Sequence, residues 1–152
     1  MDEIEKTVAA LNDLIRINND RVDGYEKAAA EATTQDIDLK TLFNRFAAES
    51  RKYANELKTQ VIDMGGETAK GTTGSGKIYR VWMDVKATFT GKDRHSILSS
   101  CEFGEDAAQR AYDLALSSDA DLEAGVRKII VSQKESLKAA HDAIKNLRDI
   151  NK

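Results

Sequence analysis

Apolar residues recur every three or four positions along four long stretches of the chain, the spacing that places them on one side of an α-helix. The first stretch runs from Glu3 to Ala32, with Ile4, Val8, Leu11, Ile15, Val22, Tyr25 and Ala29 on one stripe. The second follows Thr33-Thr34-Gln35-Asp36, whose side-chain oxygens suit a helix start, and runs to about Met64. Its stripe is Leu39, Phe43, Phe46, Tyr53, Leu57, Val61 and Met64, and Gly65-Gly66 supplies the left-handed stop. A third helix is predicted from a cap at Asp93, with Ile97, Cys101, Ala108, Tyr112 and Ala115 in phase. The fourth is predicted after Ser117-Ser118, with Asp119, Asp121 and Glu123 at its positive end and Val126, Ile130, Leu137, Ala140, Ile144 and Leu147 inward.

The outer connections are tight, so helices one and two form one hairpin and three and four another. The middle connection, about 65 to 92, opens with the flexible run Gly71-Thr72-Thr73-Gly74-Ser75-Gly76. A short amphipathic helix is predicted behind it, with Ile78, Trp82, Val85 and Phe89 on one side. A link of this length spans a bundle, the arrangement of ferritin-like folds. The expected architecture is all-α: one domain, residues 1–152, a ferritin-like four-helix bundle with a long crossover between helices two and three.

Composition agrees with long helices. The 152 residues include no proline, and proline breaks helix interiors. Hydrophobic residues make up 41% and charged residues 32%, which excludes a disordered chain. No run is long and apolar enough for a transmembrane helix, and Met1-Asp2-Glu3-Ile4-Glu5 lacks the basic start of a secretory signal. The single Cys101 allows no internal disulfide and fits a reducing compartment, so a cytoplasmic location is expected. A net charge of −3 argues against a nucleic-acid partner.

Several stretches carry a family likeness: Leu11-Asn12-Asp13-Leu14-Ile15, Gly24-Tyr25, Ala48-Glu49, Tyr53 and Glu56-Leu57. Further along come Trp82-Met83-Asp84-Val85-Lys86, Glu102-Phe103-Gly104-Glu105-Asp106, Tyr112, Ala140-His141-Asp142 and Leu147-Arg148-Asp149. The chain resembles an uncharacterised bacterial family of ferritin-like four-helix bundles, a domain of unknown function. The resemblance implies the bundle and its crossover, and it implies no activity.

A ferritin-like fold raises the question of a di-metal site, which takes a Glu from each of two helices and Glu-x-x-His from each of the others. Here lysine replaces histidine in Glu49-Ser50-Arg51-Lys52 and in Glu135-Ser136-Leu137-Lys138. A protonated lysine offers no lone pair and repels a cation. By helical phase Glu135 points outward and Gln133 inward, Glu105 lies near its stripe centre, and Glu26, Glu49 and His141 lie at seams. The favoured reading is a non-catalytic bundle working by self-association or protein contact. In it, the glutamates pair with Arg51, Lys27 or Arg110, or with the hydroxyls of Tyr25, Tyr53 and Tyr112. The alternative gathers Glu26, Glu49, Glu105 and His141, which fall within about 10 Å along the bundle axis, around iron, manganese or zinc with oxidase-like or storage chemistry.

Other patterns carry less. Gly71, Gly76 and Lys77 match a phosphate loop, but Ile78 stands where Ser or Thr is required and no strand precedes it. His95 and His141 have no nucleophile at a recognisable spacing. Cys101 reads as a small core residue. The basic stretch 77–95, with Trp82 and Phe89, is compatible with contact at an anionic membrane surface, but packing of its apolar side over the bundle is favoured.

Overall fold

The computed structural model describes residues 2–32, 34–71, 94–118 and 120–151. The short amphipathic helix expected to carry Ile78, Val81, Trp82, Val85 and Phe89, the Asp93 cap, and Gly76 and Lys77 lie outside them. So does all of the basic stretch 77–95 except Arg94 and His95.

Four helices form the fold: α1 (Glu3–Glu31), α2 (Ile37–Asp63), α3 (Arg94–Ser117) and α4 (Ala124–Ile150). They make an all-α four-helix bundle. α1 packs on α2 and α3, and α4 packs on α3 and α2, so the helices occupy the corners of a square with α1 opposite α4. One hydrophobic core runs through all four, including Leu11, Phe43, Leu98 and Ile130.

Helix ends show how the sequence sets these bounds. Asp2 caps α1, accepting from the Glu5 amide at 2.8 Å. α2 closes on glycine: Gly65 takes φ of +77°, its amide reaches Ile62 O at 2.9 Å, and the Gly66 amide reaches Val61 O at 3.0 Å. Two expected boundaries move. A 3-10 turn at Thr34–Asp36 precedes α2, and the Asp36 carboxylate, instead of capping the helix, accepts from Arg94 at 2.7 Å. α4 starts at Ala124, and residues 120–123 ahead of it are non-helical, with Ala120 and Leu122 buried.

Arg94, the first residue of α3, also pairs with Asp38 in the first turn of α2 at 2.7 Å and with Asn151 beyond α4 at 3.3 Å. The starts of α2 and α3 therefore share one end of the bundle with the end of α4. Leaving α2 at the opposite end, the chain follows α1: Asn12 bonds Glu67 O and the Ala69 amide, and Asn19 bonds Gly71 O at 2.7 Å.

Candidate functional site

The interior of the bundle is polar at its middle. Arg21 and Ser50 are fully buried, and Glu105 is 1% exposed. Arg21 grips Glu105 through two parallel bonds, Nε to Oε1 at 2.6 Å and Nη2 to Oε2 at 3.1 Å. Its remaining Nη1 donates to Ser50 Oγ, which donates to Asn18 Oδ1 at 2.9 Å. Asn18 Nδ2 donates to the Tyr112 hydroxyl at 2.8 Å, and that hydroxyl donates to Gln133 Oε1 at 2.7 Å. Gln133 Nε2 then reaches Glu56 Oε1 at 3.1 Å and Tyr53 O at 3.3 Å. One chain of hydrogen bonds thus passes through all four helices.

The electrostatics follow from burial and pairing. Burial alone would lower the Arg21 pKa, but the Glu105 charge and its hydrogen bonds raise it above the ordinary value. The guanidinium also lies over the Tyr25 ring at 5.3 Å. Burial, then the Glu105 charge, pushes the Tyr25 hydroxyl and the Cys101 thiol up. Burial does the same to Tyr112, opposed by the bond from Asn18. None of these groups is tuned to give up a proton near neutral pH, and Arg21 brings a fixed positive charge to the place where a core metal would sit.

The four sequence-predicted ligands fall in different places. Glu105 is buried on Arg21. Glu26 pairs with Arg51 across the α1–α2 seam, one of the pairings that the favoured reading expects. Glu49 meets Arg45 on its own helix at 3.4 Å. His141 lies in the α3–α4 seam, with Nε2 at 2.7 Å from Asp106 Oδ1 and 3.7 Å from Glu102 Oε1. Among the described residues, the metal-ligand types that converge are Glu102, Asp106 and His141, with ligand atoms all within 4.8 Å of one another.

That seam has a consistent polarity. Lys134, His141 and Arg148, spaced by heptads on α4, meet Asp113, Asp106 and Glu102 on α3. Sequence reasoning missed Arg21, Asn18 and Ser50. The signal was present: Asn18 and Arg21 continue the phase of Leu11, Leu14 and Tyr25, so a buried amide and guanidinium were foreseeable from α1 alone.

Outside the seam, α3 presents apolar side chains to water, with Phe103 66% and Leu114 68% exposed. Phe103, Arg110 and Leu114 fall within about 40° of one another around the helix, with Asp106 on the flank.

The family model described as a domain of unknown function, DUF2383, matches residues 6–118. The chain belongs to this family. The DUF2383 match covers α2 and α3 and nearly all of α1, so it takes in Arg21, Ser50, Glu102, Glu105 and Asp106; α4, with Gln133 and His141, lies beyond it. No curated protein matches the chain. Among the described residues, no helix is long and apolar enough to cross a membrane.

Proposed function

We propose that this protein is a non-catalytic helical bundle that works by pairing with a second copy of itself through the outer face of α3. The observation that carries this reading is the pair Phe103 and Leu114, two large apolar side chains on one helix face, both about two-thirds exposed. They stand eleven residues apart, roughly 16 Å along the axis. A two-fold axis midway between them lays Phe103 of one copy on Leu114 of the other. The same axis sets Arg110 beside Asp106 of the second copy, and the Asp106 side chain is still 44% exposed while it pairs with His141. Such a face is self-complementary in shape and charge, as an isologous dimer requires.

The interior supports the same reading. Glu105, enclosed in the interior, is held by an arginine, and the buried Tyr25 and Tyr112 hydroxyls and the Cys101 thiol resist ionisation. A bacterial cytoplasmic setting and a ferritin-like ancestry belong to the same proposal: a free, buried Cys101 suits a reducing compartment, and four long helices suit a ferritin-like bundle.

Sedimentation velocity over a range of protein concentrations tests it. The wild-type chain is expected to sediment as a dimer at the upper concentrations. The double variant Phe103→Ser, Leu114→Ser should sediment as a monomer with an unchanged far-ultraviolet dichroism spectrum. A wild type that stays monomeric throughout, or a variant that stays dimeric, overturns the reading.

A further inference from the structure

We propose that Glu102, Asp106 and His141 form a binding site for one divalent transition-metal ion, of the zinc class, in the seam between α3 and α4. This site is separate from the bundle interior, and it does not rest on the dimer.

The geometry begins with two carboxylates one helical turn apart on α3, facing a single imidazole on α4. The three ligand atoms lie within 4.8 Å of one another. Zinc ligands at about 2.0–2.2 Å from the metal stand about 3.3–3.6 Å from each other in a tetrahedral site. Asp106 Oδ1, now 2.7 Å from Nε2, has to retreat by under an ångström, and Glu102 Oε1 is already at 3.7 Å. Small side-chain rotations on two fixed helices suffice.

A second observation concerns the far side of the imidazole. His141 Nδ1 lies 3.1 Å from Asp142 Oδ1. With Nδ1–H donating there, Nε2 is the nitrogen turned toward Glu102 and Asp106. Metal-binding histidines are held in this way, the second ring nitrogen donating to a carboxylate that fixes the tautomer. On binding an ion, Nε2 would release the proton it shares with Asp106 Oδ1 at 2.7 Å, and three lone-pair atoms would then face one point.

Neighbouring charges leave room for that cation. Arg148 takes Glu102 Oε2 and also holds Asp149 at 3.0 Å, so Glu102 Oε1 is the oxygen left facing His141. The seam side chains are 18% exposed at His141, 14% at Glu102 and 44% at Asp106, which admits an ion from solvent and leaves a coordination position for water. One imidazole with two carboxylates suits zinc and its first-row neighbours; magnesium and calcium prefer all-oxygen sets.

Isothermal titration of tag-free, chelator-treated protein with zinc chloride, at neutral pH and in excess magnesium, tests the site. Wild type should take up one zinc per chain. His141→Ala should abolish that uptake. Glu102→Gln should weaken it by at least tenfold, and Asp142→Asn, which touches only the far ring nitrogen, by about tenfold. Dichroism spectra identical to wild type would show that the variants remain folded. No zinc uptake by wild type, equal uptake by His141→Ala, or full competition by magnesium overturns the proposal.

Discussion

Tyr112 shows what a single buried hydroxyl does in this bundle. It accepts from Asn18 and donates to Gln133, so it is the junction between the α1 and α4 ends of the interior network. Tyr112→Phe keeps the ring and leaves two partners unpaired, and it should cost about 1–3 kcal/mol in chemical denaturation. Cys101 sits nearby, wholly buried, with its thiol pushed up by burial and by the Glu105 charge. A thiolate is the reactive form. Cys101 should therefore stay inert to an aromatic disulfide reagent in the native protein and react fully in denaturant; rapid native labelling would contradict the packing described. The sequence placed both side chains correctly, because Cys101 and Tyr112 occupy inward positions of a plain helical period. It did not reveal their partners, because hydrogen bonding between helices depends on rotation and register that no single period contains.

At the scale of elements, the helix ends hold the strongest local information. Gly65 needs its positive φ to stop α2, so Gly65→Ala should lower stability by about 1 kcal/mol in thermal or urea melts. The two glycines differ: a Cβ at Gly66 would come within 2.9 Å of the Val8 side chain, so its cost there depends on how far α1 yields. The glycine stop was legible from sequence, whereas the start of α4 was not. Residues 120–123 stay outside the helix with Ala120 and Leu122 packed inward, and a tertiary contact of that kind is not visible in a local pattern.

Arg94 ties three elements together at one end, and its hydrogen bond holds the Asp38 carboxyl below its ordinary value of 3.8. A carboxyl whose pKa falls on folding stabilises the fold above its unfolded value and loses that contribution as pH drops through the folded one. The stability difference between wild type and Asp38→Asn should be at most about 1 kcal/mol near neutrality, since Asp38 is well exposed. It should vanish below the ordinary carboxylate range. A difference that persists in strong acid would assign Asp38 another role.

Across the whole molecule, the all-α four-helix bundle was readable from four apolar stripes. The interior was half readable. Glu105 was placed inside by phase and expected to be held by tyrosine or arginine, and an arginine does hold it. That arginine, Arg21, escaped notice because a long basic side chain is usually solvated, although its place in phase with Leu11, Leu14 and Tyr25 marks it as inward. The set Glu26, Glu49, Glu105 and His141 was expected within about 10 Å along the axis, yet its members face four different neighbours, because axial position says nothing about which seam a side chain enters.

The central claim is that a cationic arginine, rather than a metal ion, satisfies the carboxylate at the heart of the bundle. A double-mutant cycle on Arg21→Leu and Glu105→Leu, read by urea unfolding with chelator present, tests it most directly. Each single variant strands a buried charge and should lose about 3–5 kcal/mol, while the double variant, with both charges gone, should recover most of that loss. If the two losses simply add in the double variant, then Arg21 is not what holds Glu105 and the account is wrong.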